Sequence, residues 1–372
     1  MHDFVHLHVH TQYSLLDGQA SIQRLVDKAL KDGMRGIAVT DHGNMYGIKE
    51  FWNYVKKKNS QKHDKIKSLT KLSSAMKELL LEHADLAEYK SSVAAEVAAK
   101  QAVVDNATSY SMEDNEELVR IKSHLAQVES MESEFGFNVS AAEAKIADLA
   151  AIPDFKPIIG CEVYVARNGL LQKSAKEDQG GWHLILLAKN QQGYKNLIKI
   201  VSKAWTDGFY NRPRTDHAEL EKYHEGIICC SACIGGEIPK LILSGRLEEA
   251  EKSVLWHKQL FGDDYYLELQ LHKATVERAN HDTYKLQMEA NKYLVELAQK
   301  HNIKLICTND VHFVEEDDAE AHDRLISINS SHDFDDPKRL LYSKQEWMKT
   351  RAEMNEIFAD FPDALTNTVE IC

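Results

Sequence analysis

Seven short apolar runs, separated by patterns of helical period, constrain the fold of this chain more than any other feature. Most of the runs are β-branched or continuously apolar, as expected of strands that are buried on both faces. They occupy residues 4–9, 36–40, 157–166, 183–188, 226–232, 265–271 and 303–308. Strands that alternate with helices predict a parallel α/β fold with the helices outside. Seven such units, without a Gly-rich dinucleotide turn, favour a barrel, and an open doubly wound sheet is the alternative.

One long segment interrupts this alternation. Residues 56–152 contain no convincing strand, and their apolar side chains recur at heptad spacing in two stretches that the polar segment 105–114 separates as a turn. A third, shorter apolar pattern follows at residues 139–149. We predict an inserted helical, coiled-coil-like hairpin. A solvated, disordered insert is the alternative, because the pattern is rich in Ala, Ser and Lys. The predicted domains are a barrel at 1–55 and 153–320, the insertion at 56–152, and a C-terminal extension at 321–372.

Charge and cysteine usage narrow the class of protein. The net charge of −13 at pH 7 excludes nucleic-acid binding by the whole surface, because phosphate contacts need Lys and Arg. Bound cations can still supply positive charge at a local site.

The six cysteines are scattered and mostly lie in apolar runs, which indicates free thiols in a reducing cytoplasm. Without a run of about 18 apolar residues or a signal-peptide order, we expect no membrane association.

Nearly every predicted strand carries a His, Asp, Glu or Cys at or near one end. Because the carboxyl ends of parallel barrel strands gather on one face, these side chains are expected to converge. The set comprises His8, His10, Asp41, His42, Glu162, His183, Cys233, Asp310 and His312. Imidazoles, carboxylates and one thiolate are ligands for Zn²⁺, Mn²⁺ or Fe²⁺, and nine of them exceed the needs of one ion. Two or three clustered ions of this kind serve phosphate-ester hydrolysis.

Each of these residues has a simpler interpretation when it is taken alone. Strand alternation places His6, His8 and His10 on one face, but a His-x-His pair is more often incidental than a ligand pair. Asp41 can act as a helix cap. Asp17 either belongs to a turn or reaches back over the histidines. Only the joint pattern on successive strand ends indicates a metal site.

Two residues of this set do not lie at the carboxyl end of an apolar run. His183 opens its run instead of ending it, and Glu162 lies within a run, so both are expected lower in the mouth of the barrel.

Arg212 and Arg214 lie in the Pro-stiffened stretch "NRPRTD" and are candidates to bind a nucleic-acid phosphate. Surface or inter-domain salt bridges are the equal alternative for these two arginines.

Five motifs resemble those of the PHP (polymerase and histidinol phosphatase) domain family. They are "FVHLHVHTQYSLLDG", "GIAVTDHGNMYG", "KPIIGCEVYVA", "SACIGGEIP" and "TNDVHF". Their wording is most similar to the version of the domain at the N-terminus of the bacterial DNA polymerase III alpha subunit. The resemblance covers residues 1–55 and 153–372 and leaves out the insertion. The final stretch "FPDALTNTVEIC" reads as part of a longer helix, so we expect the chain to continue into polymerase domains.

The resemblance implies a distorted seven-stranded (β/α)7 TIM-like barrel that binds two or three divalent ions of zinc, manganese or iron. We expect Asp41 to orient a ligand histidine from behind, and His6, one step deeper in the barrel, either to support the ligands in the same way or to pack. The implied ligands, through which the catalytic groups act, are His8, His10, Asp17, His42, Glu162, His183, Cys233, Asp310 and His312.

The intact ligand set implies a 3′–5′ exonuclease for proofreading. The implied partners are a DNA 3′ end, the remaining domains of the polymerase alpha subunit and other replisome subunits. Two alternatives stay open. The metal site either only braces the polymerase, or it serves a phosphomonoesterase similar to histidinol phosphatase.

Overall fold

The computed structural model describes residues 1–174, 176–330, 332–336 and 338–372. Ser331 and Pro337, which belong to the predicted extension 321–372, lie outside the described residues. The chain divides into two compact units, one formed by Met1–Val55 and Phe155–Cys372 and the other by Lys56–Asp154. Among the described residues, no helix combines the length and the apolarity that crossing a lipid bilayer requires.

A mixed β-sheet organises the first unit. Its strands are β1 (Gly36–Val39), β2 (Lys156–Val165), β3 (Trp182–Ala188), β4 (Arg214–Thr215), β5 (Ile227–Cys230), β6 (Tyr265–Leu269) and β7 (Lys304–Cys307). Neighbouring strands follow the order β1-β2-β3-β5-β6-β7, and the short β4 pairs with β2. The helices of the chain are α1 (Ile22–Lys31), α2 (Ile48–Glu82), α3 (Leu86–Asp105), α4 (Met112–Phe135), α5 (Val139–Ala151), α6 (Gln191–Thr206), α7 (His217–Tyr223), α8 (Glu237–Leu243), α9 (Leu247–Phe261), α10 (Asp282–His301), α11 (Ala319–Ser330), α12 (Arg351–Ile357) and α13 (Pro362–Ile371).

The direction of β3 corrects the predicted all-parallel arrangement. β3 is antiparallel to both β2 and β5, whereas the pairs β1–β2, β5–β6 and β6–β7 are parallel. The described residues between β2 and β3 contain no α-helix, so β3 turns back instead of crossing over. The reversal sets the start of β3 beside the end of β2, where His183 lies opposite Tyr164.

The first apolar run, residues 4–9, does not form a regular strand, but its backbone links the two ends of the strand order. The Ala38 amide in β1 donates to the His6 carbonyl at 2.8 Å. The Val311 amide, just after β7, donates to the His8 carbonyl at 3.1 Å. The run therefore lies between β1 and the chain that follows β7, and it brings its histidines to the edge where both strands end.

Both faces of the sheet are buried, which confirms the interpretation of the continuous apolar runs. In β5, Cys229 belongs to one apolar cluster with Leu186 and Leu267, whereas Cys230 belongs to another with Ile185. All six cysteines, each a described residue, are free, as the sequence predicts. A charged side chain within these strands therefore needs a charged or hydrogen-bonding partner.

The second unit is helical, and one of its predicted helical stretches is divided into two helices. The heptad pattern breaks at residues 83–85, where the Asp85 side chain accepts hydrogen bonds from the amides of Ala87 and Glu88 and caps α3. The predicted turn at 105–114 does separate α3 from α4, and a further helix, α5, follows. The unit has its own buried core of Leu69, Met76, Leu86, Met131, Phe135 and Ala142. The disordered alternative is not what the structure shows.

Replacing Gly193 of α6 by alanine is expected to lower the free energy of unfolding by at least about 3 kcal/mol, the upper range for overpacking. A Cβ atom there lies 1.7 Å from the carbonyl oxygen of Gly226, so the backbone has to move. Gly245→Ala is the control, because its Cβ meets nothing within 4 Å. Its left-handed backbone costs roughly 1 kcal/mol. Equal losses in urea denaturation would contradict the packing argument.

Candidate metal centre

Glu162 lies at the centre of the predicted ligand set. It lies in β2 at the level where β1 ends, and its backbone forms a bridge with His42. The Oε1 atom lies 2.7 Å from His183 Nδ1 and 3.5 Å from His8 Nε2. The Oε2 atom lies 3.7 Å from His10 Nε2 and contacts His42 Nδ1 more closely. One carboxylate, only 1% exposed, thus joins side chains from three separate segments of the chain.

Asp310 is the second carboxylate that touches the histidines of the first run. Its Oδ1 atom lies 3.0 Å from His8 Nε2 and 3.2 Å from His10 Nε2. The same oxygen lies 3.7 Å from His312 Nδ1. The Asp310 backbone has φ +45°, a left-handed conformation that Asp tolerates better than most residues. Backbone strain of this kind clusters at functional sites.

Asp17 belongs to a turn and also reaches back over the histidines, so both interpretations of this residue hold. Its Oδ2 atom lies 3.1 Å from His42 Nε2, and its Oδ1 atom lies 3.9 Å from His312 Nε2. The Tyr342 hydroxyl donates a hydrogen bond of 2.9 Å to Oδ1. The next residue, Gly18, packs so closely that a Cβ atom would lie 2.1 Å from a backbone carbonyl oxygen. This close packing fixes the turn that carries Asp17.

Cys233 and His183 complete the cluster. Because β3 is reversed, His183 at its start lies beside the end of β2, which explains why it opens its run. Cys233 Sγ lies 3.5 Å from His183 Nδ1 and accepts a hydrogen bond from the Gly235 amide. Burial, with a contribution from Asp310 and Glu162, raises the pKa of the Cys233 thiol well above its usual value. The sulfur is therefore a thiol until a cation displaces its proton.

Three overlapping groups of ligand atoms result from this arrangement, and within each group the atoms lie within 4.8 Å of one another. The groups are His10–His42–His312, His8–His10–Glu162 and Glu162–His183–Cys233. Asp17 and Asp310 contact members of these groups. The structure therefore brings all nine residues of the implied ligand set together at one edge of the sheet.

Several ligand atoms of the cluster do not satisfy one another by hydrogen bonding, but a bound cation could satisfy them. Within the described residues, both oxygens of Glu162, both ring nitrogens of His42, Oδ1 of Asp310 and Nε2 of His312 are buried without a hydrogen-bond partner. They approach one another, but not with hydrogen-bond geometry. Buried polar groups without partners cost roughly 1–3 kcal/mol each, so a site that keeps several of them invites an explanation. Divalent ions would satisfy these atoms together.

The electrostatics of the cluster balance positive and negative groups. Burial would raise the pKa of Glu162, but His183 and His42 hold it well below its usual value. Burial would lower the pKa of His8, but Asp310 and Glu268 raise it well above the usual value. These two carboxylates therefore favour the protonated form of the His8 ring in the ion-free protein. Since a histidine ligand must be neutral, loading the site releases protons and depends on pH.

Sequence reasoning missed Glu268, which lies in β6 behind His8. Its Oε1 atom lies 2.6 Å from His8 Nδ1 and accepts hydrogen bonds from Gln270 Nε2 and the Thr308 hydroxyl. A carboxylate behind an imidazole fixes which ring nitrogen faces a metal ion. The signal was present in "YYLELQL", where a glutamate within a doubly buried strand requires a partner.

Asp41 lies behind the cluster and contacts two residues of the first motif. Its Oδ1 atom accepts hydrogen bonds from the Thr11 amide at 2.7 Å and from the Ser14 hydroxyl at 2.7 Å. Ser14 Oγ in turn lies 3.1 Å from His10 Nδ1. Asp41 therefore reaches His10 through a hydroxyl group and does not itself enter the cluster. The helix-cap interpretation of Asp41 is replaced by these contacts.

Two predicted residues are held by backbone carbonyls. The Nε2 atom of His6 bonds the Lys349 carbonyl at 2.8 Å, which fits the packing alternative for this residue. Arg214 is fully buried and donates to four backbone carbonyls, those of Gly208, Asp178, Leu170 and Gln172. Its guanidinium is not available to a nucleic-acid phosphate. Arg212 is exposed, lies 5.6 Å from the Tyr164 ring centre, and stays a candidate.

Acidification is expected to destabilise the protein through His6. Burial lowers the pKa of His6 from 6.5 to about 4, so the unfolded chain binds more protons between these values. The contribution of His6 to stability is full above pH 6.5 and is lost as the pH falls through about 4, a loss of roughly 3 kcal/mol. Urea denaturation of the wild type and of His6→Gln between pH 7 and pH 4 measures it. Parallel pH profiles for the two proteins would exclude this role.

Comparisons with known proteins give a consistent result. The family model described as the PHP domain matches residues 6–70 and 83–272, which is more than half of the chain. The chain is 35% identical to a DNA polymerase III subunit alpha of Borreliella burgdorferi, over 99% of this chain and 23% of that protein. The proteins of the same name from Treponema pallidum (32%, 99% and 23%) and Thermus aquaticus (30%, 99% and 22%) are also similar.

The extent of this similarity corrects one expectation. The chain spans less than a quarter of the length of these relatives, but the similarity covers 99% of the chain itself. It therefore runs through residues 56–152, whereas the sequence motifs had placed the resemblance only outside the insertion.

Proposed function

The chain belongs to the PHP domain family, and from this premise we propose that it is the N-terminal domain of a replicative DNA polymerase III alpha subunit with metal-dependent 3′–5′ exonuclease activity. One observation carries the proposal: the ligand-capable side chains of five motifs converge, and several of their buried donor atoms have no hydrogen-bond partner among the described residues. The activity serves proofreading of a DNA 3′ end. The remaining polymerase domains and other replisome subunits are the proposed partners, in the cytoplasm.

The proposed ligands are the nine residues that meet at the sheet edge. They are His8, His10, Asp17, His42, Glu162, His183, Cys233, Asp310 and His312. Two or three divalent ions of zinc, manganese or iron, when bound there, supply charge stabilisation for phosphoryl oxygens and activation of water. We also propose that residues 4–9 close the sheet into a seven-stranded barrel, with the domain boundaries predicted from the sequence.

The residues behind the ligands prepare the site. Glu268 accepts the Nδ1 proton of His8 and leaves Nε2 directed at Glu162 and Asp310. Ser14, held by Asp41, positions the ring of His10 in the same way. Fixing a ring before a ligand arrives avoids the entropic cost of ordering it later.

A small cavity beside the cluster has room for one phosphate group of a DNA strand. Its volume is about 110 Å³, and Asp17, His42, Tyr46, Trp205 and Arg212 are among the residues that line it. Arg212 can pair with a phosphate, and exposed aromatic rings stack on nucleobases without sequence preference. Such a local contact is compatible with the overall negative charge, since the ions and one arginine supply the positive charge.

Incubation of the chain with Mn²⁺ or Zn²⁺ and 3′-labelled single-stranded DNA tests the proposal. We expect release of labelled mononucleotides, and slower release by Arg212→Ala because the phosphate contact is lost. Measured metal content must accompany the assay. No release from a chain shown to hold its ions would reject the exonuclease and favour a bracing role. Faster hydrolysis of a small phosphomonoester than of DNA would instead favour a phosphatase.

A further inference from the structure

A second group of ligand-capable side chains lies outside the proposed exonuclease site. His217 is the first residue of α7, Glu237 is the first residue of α8, and His257 lies in α9. One ligand atom from each lies within 4.8 Å of the other two. His217 Nε2 and Glu237 Oε2 are 3.0 Å apart. None of the three contributes to the cluster around Glu162.

His257 is prepared as a ligand. Its Nδ1–H donates to the Ser253 carbonyl at 2.8 Å, which leaves the lone pair on Nε2. The residue is 1% exposed, and in the described part of the chain its Nε2 atom has no hydrogen-bond partner. Metal-bound histidines commonly donate their other ring N–H to a backbone carbonyl in this way. Burial lowers the pKa of His257 to about 4, so the ring is neutral and ready to bind.

A plain hydrogen bond between His217 and Glu237 accounts for only part of this geometry. It leaves His257 Nε2 without a role. The hydroxyl of Tyr265, whose ring stacks on His257 with centres 5.3 Å apart, is also buried and has no partner among the described residues. The unsatisfied Nε2 atom of His257, close to a His–Glu pair, points to a missing polar occupant.

We propose that His217, Glu237 and His257 bind one divalent transition-metal ion of the zinc type. Two imidazoles and one carboxylate are a ligand set that Zn²⁺ accepts, with water in the fourth position. His217 is 39% exposed, so the ion and this water have access from solvent. The ion would link α9 to α7 and α8, which the His217–Glu237 contact already joins.

This site lies next to the loop that carries Cys233. The Gly236 amide donates to the Cys233 carbonyl at 2.8 Å, and Gly236 forms a backbone bridge with His183. Glu237 follows directly, so an ion held by Glu237 fixes the far end of the same loop. An ion bound by His217, Glu237 and His257 is therefore placed to hold Cys233 and His183 in position.

Zinc binding to the whole chain tests the inference, with Zn²⁺ alone as the probe and metal content per chain as the readout. We expect His217→Ala and Glu237→Gln each to bind one equivalent less than the wild type. His301→Ala is the matched control, because His301 pairs with Glu251 at 2.7 Å outside any described three-ligand group, and it is expected to lose no equivalent. Unchanged zinc content in the first two variants overturns the proposal.

Anomalous diffraction from zinc-loaded wild-type crystals gives a second test that does not depend on how the variants fold. We expect a zinc peak roughly 2.0–2.2 Å from His217, Glu237 and His257. Absence of this peak in crystals that show zinc at the Glu162 cluster overturns the second site alone. Neither experiment depends on nuclease activity, so failure of the proposed exonuclease leaves this inference separately testable.

Discussion

Glu162→Gln is expected to reduce exonuclease activity at least about 1,000-fold. The substitution keeps the size of the side chain but removes the charge that faces His8, His10, His42 and His183. Bound ions contribute several kcal/mol of transition-state stabilisation, and each 1.4 kcal/mol corresponds to a factor of about ten. Metal content is expected to fall together with activity, because an amide is a weak ligand for these ions.

The same variant is also expected to destabilise the ion-free protein. Removing one partner from a buried ion pair costs about 3–5 kcal/mol, since His42 and His183 lose their counter-charge. Nuclease rate, metal content and urea denaturation are measured on the same preparation. Glu219→Gln is the matched control, because Glu219 is also largely buried but pairs with Lys203 on α6. Full activity of Glu162→Gln with normal metal content would refute the central role of this carboxylate.

Arg214→Ala is expected to lower the free energy of unfolding by about 4 kcal/mol. The guanidinium donates to four backbone carbonyls and is fully buried, so its removal leaves several acceptors unsatisfied at roughly 1–3 kcal/mol each. Arg214→Lys is expected to recover only a small part, because one ammonium group cannot reach acceptors spread around a planar fork.

Arg212→Ala, a substitution two residues before Arg214, is expected to have the opposite pattern of effects on stability and DNA binding. Arg212 is exposed, so its removal is expected to change stability by less than about 0.5 kcal/mol and to weaken DNA binding. Thermal denaturation and DNA affinity of both variants separate a structural arginine from a substrate-binding one. A stable Arg214→Ala protein with impaired DNA binding would reverse the assignment.

The strands can be predicted well from the sequence, because strands that are buried on both faces are almost continuously apolar. Continuous apolar runs identify β1, β2, β3, β5, β6 and β7 to within a few residues. The direction of β3 is less accessible, since it depends on the absence of a crossover helix among the described residues between β2 and β3. A parallel pair needs such a connection, so the missing helical pattern after Val165 was the available signal.

The residues of the site could largely be identified from the sequence, but the contacts that their side chains make could not. His8, His10 and His42 were recognised because they follow strands, but the orientation of His6 was not. Alternation holds only in a regular strand, and residues 4–9 form isolated backbone bonds instead. Glu268, like Glu162, is a single glutamate within an apolar run, but no recognised motif drew attention to it.

The backbone link between the first run and the chain after β7 has a consequence for synthesis. His8 leaves the ribosome early, whereas Asp310 and Val311 follow roughly 300 residues later, on the order of 15–60 s at bacterial elongation rates. During that interval the histidine-rich N-terminus has neither its β7-side neighbours nor its full set of carboxylates. Contacts of such long sequence separation form late in folding. The cluster therefore matures only when translation has passed β7, so a nascent chain that stalls earlier cannot assemble it.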